Sequence, residues 1–146
     1  PAPLAGRRKR DGPGNPYVLH EELGKWMLEN VTIVRENDKL RATDAKIQEL
    51  QERWKNTGVL DGGQWSNQPL SFLNQLDNML HLARVVTLGA LARDESRGAH
   101  YKPDFPTRDD EKWMKTTIAD FAPDGPKFHY DPVDVSLYAP VERKYY

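Results

Sequence analysis

Residues 88–110 (LGALARDESRGAHYKPDFPTRDD) hold the densest set of side chains able to do chemistry, with Arg93, Asp94, Glu95, Arg97, His100, Lys102, Asp104 and Arg108 in one short run. An arginine can hold a carboxylate through two parallel hydrogen bonds. A histidine can carry a proton near neutral pH. Arg97, His100 and the Asp109–Asp110 pair are therefore the candidates for an acid–base or substrate-binding site. The competing interpretation is a charge-laced helix end followed by a solvated loop. No glycine-rich phosphate loop follows a strand anywhere in the chain, so nothing in it can cradle a dinucleotide pyrophosphate. The chain has no cysteine, which excludes disulfides, thiolate nucleophiles and Cys-ligated zinc or iron–sulfur centres. His20-Glu21-Glu22-Leu23-Gly24 approaches a zinc-helix motif but has glycine where the second histidine must stand.

The elements that position this stretch follow from periodicity. Length suits one domain. With 38% hydrophobic and 29% charged residues, its core is expected to be a narrow seam. Residues 1–15 contain Arg7-Arg8-Lys9-Arg10 among prolines and glycines and have little to bury. They are expected to form a disordered linker, and a start within a linker suggests a piece of something larger. Pro16 with Asn15 as cap opens a first helix carrying Leu19, Leu23, Trp26 and Met27 on one stripe. The β-branched run at residues 31–34 breaks it. A second helix is expected from about residue 36 or 37 to 56, with Leu40, Ile47, Leu50 and Trp54 inward and Arg41, Lys46, Glu49, Glu52, Arg53 and Lys55 on outer faces.

The third helix is expected over residues 70–96. Leu73, Leu76, Leu80, Ala83, Thr87 and Ala90 alternate steps of three and four, and Phe72, Met79 and Val86 form a neighbouring stripe. Two stripes imply two partners, so this helix is the centre of an up-and-down three-helix bundle, spectrin repeat-like, over residues 16–98. Arg93 is expected in its last turn, favouring the negative end of the helix dipole, with Gly98 as the left-handed terminator. His81 flanks the seam as a hydrogen-bonded edge residue. Asp61-Gly62-Gly63 is expected to form a turn. Residues 99–146 are expected to add a charged loop and an extended C-terminal segment with a small antiparallel β ribbon. Its first strand falls within residues 112–120 and its second on the alternation of Val133, Val135 and Leu137.

The string Glu95-Ser96-Arg97-Gly98-Ala99-His100, followed by Asp104-Phe105-Pro106 and Arg108-Asp109-Asp110, closely resembles the C-terminal region of the succinate dehydrogenase and fumarate reductase flavoprotein subunit family. The pieces VLHEELGKWMLENVTIVRENDKL, KIQELQERWKN and LDNMLHLARVVTLGALARDESRGAH extend that likeness over the helical region. The ending FHYDPVDVSLYAPVERKYY resembles the menaquinone-linked bacterial succinate dehydrogenase type, a tail that L-aspartate oxidase lacks. The resemblance implies a helical domain of an FAD-dependent enzyme that oxidises succinate to fumarate. It places the covalent FAD histidine and the substrate-handling residues upstream, so no catalytic, cofactor-binding or metal residue is assigned to this chain.

The partners implied are an upstream flavin domain, an iron–sulfur subunit and a cytochrome b membrane anchor, placing the protein in the cytoplasm at the inner face of the membrane. No nucleic acid is expected at a net charge of −1. No apolar run approaches the roughly 20 residues of a membrane span, and no signal peptide is expected. Under this resemblance Arg93, Glu95, Ser96, Arg97, Gly98, His100, Arg108, Asp109 and Asp110 become an interdomain docking set. The readings that compete are a free-standing helical interaction module without an enzyme attached, and the same domain of a fumarate reductase or an L-aspartate oxidase.

Overall fold

The computed structural model describes residues 14–59 and 66–141. The expected linker largely precedes these residues, and the Asp61-Gly62-Gly63 turn lies outside them. Three long helices come first: α1 (Pro16–Asn30), α2 (Asn37–Lys55) and α3 (Gln68–Ala92). A one-turn helix α4 (Asp110–Trp113) and strands β1 (Lys115–Asp120) and β2 (Lys127–Pro132) follow.

Each long helix starts where its sequence supplies acceptors or removes donors. Asn15 Oδ1 accepts from the Tyr17 amide at 2.9 Å, and Pro16 stands in the first turn, where its missing N–H costs nothing. Asn67 Oδ1 likewise accepts from the Leu70 amide at 2.8 Å at the start of α3. The β-branched run after Asn30 ends α1, and Val31 turns inward to be buried.

The expected stripes are the core. Leu40, Thr43, Ile47, Leu50 and Trp54 are buried on α2, and Leu73, Leu76, Leu80, Ala83, Thr87 and Ala90 on α3. Ile47, Leu50 and Trp54 meet Leu73, Leu76, Leu80 and Ala83 and the α1 residues Leu19 and Leu23 in one cluster, while Val31, Leu40 and Ala90 form a second, and Met27 packs against both. Fully burying a leucine stabilises by about 1.5–3 kcal/mol relative to exposure, so this seam dominates the fold. The polar atoms within it are satisfied locally. Thr43 Oγ1 donates to Lys39 O at 2.8 Å, and Trp54 Nε1 donates to Leu73 O at 2.9 Å, pinning α2 to α3. α3 packs on both other helices, as its two stripes require. The second stripe is covered at its N-terminal end, where Phe72 stacks on Tyr17, but Val86 is exposed.

Three expectations are corrected. α3 ends at Ala92, not at residue 96, because Arg93 already has an extended backbone (φ −94°, ψ 95°). Gly98 does take a left-handed conformation (φ 58°), but at the first central position of a two-residue turn between Arg97 and His100, not as a helix terminator. The second strand is β2 at residues 127–132, paired antiparallel with β1 in the register Lys115↔Pro132 through Asp120↔Lys127. Val133, Val135 and Leu137 follow it and are exposed. The ribbon closes directly behind the turn around Gly125, so Phe128 and Tyr130 supply its packed face. Among the described residues no strand lies opposite the later alternation, and only its Val133 amide reaches back, to Met114 O at 3.4 Å.

Candidate functional site

The charged stretch folds back on itself. Residues 93–109 form a loop whose Tyr101 N–H donates to Ile33 O at 3.1 Å and whose Tyr101 carbonyl accepts from Arg35 N–H at 2.9 Å. The loop is thereby stitched to the α1–α2 connection. Ser96 adds internal ties: its hydroxyl donates to Phe105 O at 2.7 Å and accepts from Lys102 N–H at 2.9 Å.

At the centre stands Glu95, with 0% of its surface exposed. Its carboxylate accepts from Arg93 Nη1 (2.6 Å), from Arg97 Nε and Nη2 (both 2.9 Å) and from the Asp109 amide (3.0 Å). Burial pushes its pKa up, but the bonds from Arg97, the Asp109 N–H and Arg93 outweigh that and hold it below the usual carboxylate value. Arg93 also donates to Trp113 O (3.0 Å), Lys115 O (2.7 Å) and Thr117 Oγ1 (3.2 Å), with its guanidinium 5.0 Å from the centre of the Trp113 ring. The expected interaction with the helix dipole is therefore replaced by a clamp from the end of α3 onto α4 and β1.

The pairing continues outward. Arg97 Nη2 lies 2.6 Å from Asp110 Oδ1, and Arg108 Nη2 lies 2.7 Å from Asp110 Oδ2. Asp109 is spent as the cap of α4, accepting from the Lys112 amide at 2.9 Å. Asp109 and Asp110 thus do not form a shared-proton pair. Arg108 also donates to Val141 O at 3.1 Å, holding the extended tail.

His100 is half-buried, and both ring nitrogens are engaged. Nε2 is 3.0 Å from the Arg93 carbonyl, which can only accept, so Nε2 carries the hydrogen and Nδ1 accepts from Arg35 Nη1 at 2.6 Å. Burial lowers its pKa. A ring fixed as the neutral tautomer with both edges occupied is poorly suited to ferry a proton.

Sequence reasoning missed the members of this site that lie outside the recognised string or were taken for loop charges. Lys102 is 1% exposed, and its ammonium donates to Leu91 O (3.0 Å) and pairs with Asp94 (2.9 Å), closing the open carbonyl end of α3. Asn37 donates to the same Asp94 at 3.3 Å. Arg35 meets His100 from 65 positions away. Only the three-dimensional return of the loop joins these residues, although the isolated cation after the β-branched run at 31–34 was a usable signal. Arg53, taken for an outer-face residue, makes a two-pronged pair with Glu22 of α1, both contacts 2.7 Å. His81, expected at the seam's edge, lies there, with Gln51 at 3.5 Å.

Two cavities adjoin this framework. One of about 750 Å³ lies between α2, α3 and the turn of the ribbon, lined by Trp54, His81, Arg84 and Phe121 among others. Glu49, Glu52, Asp77 and Asp124 also line it, and Arg84 is already paired with Asp44 at 2.8 Å. The other, about 270 Å³, is bounded by Arg35, Val86, Gly89, His100, Thr117 and Phe128. Among the described residues no group of three or more His, Asp or Glu side chains is placed to hold a metal ion.

Residues 20–145 match a family model described as fumarate reductase flavoprotein C-term. A succinate dehydrogenase flavoprotein subunit of Bacillus subtilis is 58% identical over 137 residues, covering 92% of this chain and 23% of that protein. A fumarate reductase flavoprotein subunit of Helicobacter pylori is 38% identical over 128 residues, covering 86% of this chain and 18% of that protein. Among solved structures, an E. coli quinol fumarate reductase chain superposes with a TM-score of 0.90 at 31% identity, covering 95% of this chain and 24% of that one. This chain therefore spans about a quarter or less of the length of the relatives it matches.

Proposed function

Because this chain belongs to the fumarate reductase flavoprotein C-terminal family, we propose that it is the C-terminal helical domain of an FAD-dependent succinate dehydrogenase flavoprotein subunit. In this reading the whole subunit oxidises succinate to fumarate and passes electrons to quinone through an iron–sulfur subunit and a membrane anchor. The observation that carries it is the 58% identity over 92% of the chain to a protein of that name. Fumarate reductase is the second reading, favoured by the 0.90 structural match. No helix among the described residues is long and apolar enough to cross a membrane. Attachment at the cytoplasmic face through partner subunits fits that observation.

FAD does not fit the residues present here. The larger cavity has no glycine-rich loop at a helix start, and its Arg84, Lys55, Glu49 and Glu52 are paired among the chain's own charges, so it offers no cradle for a pyrophosphate. The arginines of the charged stretch are committed to Glu95 and Asp110, and His100 to Arg35 and the Arg93 carbonyl. No redox step is routed through these residues, and the chain alone is proposed to be inactive. Its role is mechanical: the cluster from Arg93 to Asp110 holds helix end, loop and ribbon in one shape and presents that shape to the flavin-bearing part of the subunit. Such support can steady a cofactor pocket without touching it.

The test is to isolate the native polypeptide containing this sequence, measure its intact mass and flavin fluorescence, and assay succinate-dependent reduction of an electron-accepting dye. A flavin-bearing species several times larger than 16.8 kDa with that activity is expected. A flavin-free species of this length overturns the proposal in favour of a free-standing interaction module.

A further inference from the structure

Arg35 has no carboxylate partner among the described residues. Its Nε donates to Val31 O at 2.9 Å and its Nη1 to the neutral His100 ring, and a guanidinium has more N–H donors than these two bonds use. Arg53, Arg84, Arg93, Arg97 and Arg108 all meet an acidic side chain. Burial lowers the pKa of Arg35, as expected for a cation losing water without gaining a counter-ion. The same side chain bounds the 270 Å³ cavity, none of whose lining residues is acidic. Arg93, the other cation there, is already committed to Glu95 and to the Trp113 and Lys115 carbonyls. The remaining walls are largely apolar: Val86, 48% exposed, and Phe128 flank a floor at Gly89 and Ala90.

We infer that this cavity is a socket for one acidic side chain, an aspartate or glutamate on an apolar loop of the flavin-bearing part of the same polypeptide, which pairs with Arg35. The inference rests on the reading that such a part exists. A carboxylate is the group that two parallel guanidinium N–H donors recognise best. The cavity suits one side chain with its flanking atoms and falls just below the range of small-molecule sites. The source follows from length: relatives that share this fold continue for about three quarters of their chains beyond it, so an acidic loop is available at high effective concentration without a second molecule. The socket is built from α3, the ribbon and the α1–α2 connection, the elements the Glu95 cluster and its loop tie together. The docking set read from the sequence therefore braces the contact, while Arg35, outside that set, makes it.

A photo-reactive benzoyl-phenylalanine placed at position 86 of the full flavoprotein tests this. The expected result is an intramolecular cross-link to an upstream peptide containing aspartate or glutamate. Its yield should fall about fivefold in Arg35→Gln and be retained in Arg35→Lys, which keeps the charge. Cross-links only to another subunit or a second copy overturn the inference, as does an unchanged yield in Arg35→Gln. Loss of the cross-link on adding saturating succinate also overturns it, in favour of a free dicarboxylate. A flavin-free polypeptide of 16.8 kDa removes the proposed flavoprotein-subunit function and the occupant together. A flavin-bearing polypeptide without the cross-link removes the socket alone.

Discussion

Replacing Glu95 by glutamine keeps the shape of the side chain but removes its charge and turns one of its two acceptor oxygens into an NH2 donor. One oxygen takes Arg93 Nη1 and Arg97 Nε, and the other takes Arg97 Nη2 and the Asp109 amide. Whichever way the glutamine amide is turned, its NH2 group faces two donors. Breaking a buried ion pair by removing one partner costs about 3–5 kcal/mol. The arginines keep 16% and 29% of their side-chain exposure, so water recovers part of that, leaving about 2–4 kcal/mol. For a domain of this size the melting temperature should fall by roughly 6–12 °C.

Urea unfolding of the 146-residue chain, followed by circular dichroism at about pH 7, measures the cost, with Lys55→Ala at an exposed pair as control. The pH dependence supplies the stricter check. Glu95 titrates below its ordinary value near 4.5 in the folded state. Its contribution is therefore fully present above that value and is lost as pH falls through the lower folded value. The gap between wild type and Glu95→Gln should narrow as pH falls below about 4.5. A cost under about 0.5 kcal/mol at neutral pH, or a gap that widens in acid, would refute the account of Glu95 as the buried centre of the cluster.

Two further outcomes follow from the remaining ion pairs and the histidine. The hydrogen bonds from Arg53 hold the Glu22 carboxyl down to about 2, so the α1–α2 tie should persist to about pH 3. Because both side chains remain partly exposed, a double-mutant cycle of Glu22→Ala and Arg53→Ala should give a coupling of only about 0.5–1 kcal/mol. His100 titrates below 6.5 when folded, chiefly because of its burial. Its contribution is thus complete above about pH 6.5 and is lost as pH drops through the folded value, where protonated Nδ1 would face Arg35. In His100→Gln the stability curve below about pH 6.5 should flatten; an unaltered curve places that loss elsewhere.

Much of the bundle was legible because helix periodicity is local. The 3–4 spacing of leucines on α3, the Asn15 and Asn67 caps and the break after Asn30 each need only a few neighbouring residues to act. The string from Glu95 to Asp110 was equally legible as a family signature, since it depends on residue identity and spacing alone. What that string does was not legible. Glu95 is buried only because the chain returns at Asp109 and Arg97. Lys102 caps α3 across 11 positions, and Arg35 reaches His100 across 65. β2 fell at residues 127–132 because the turn set the register, while the better alternation just beyond it faces no strand among the described residues. Periodicity and capping energies belong to short segments and can be read from them. Burial, charge pairing and strand register depend on which distant segments meet, and only the folded chain decides that.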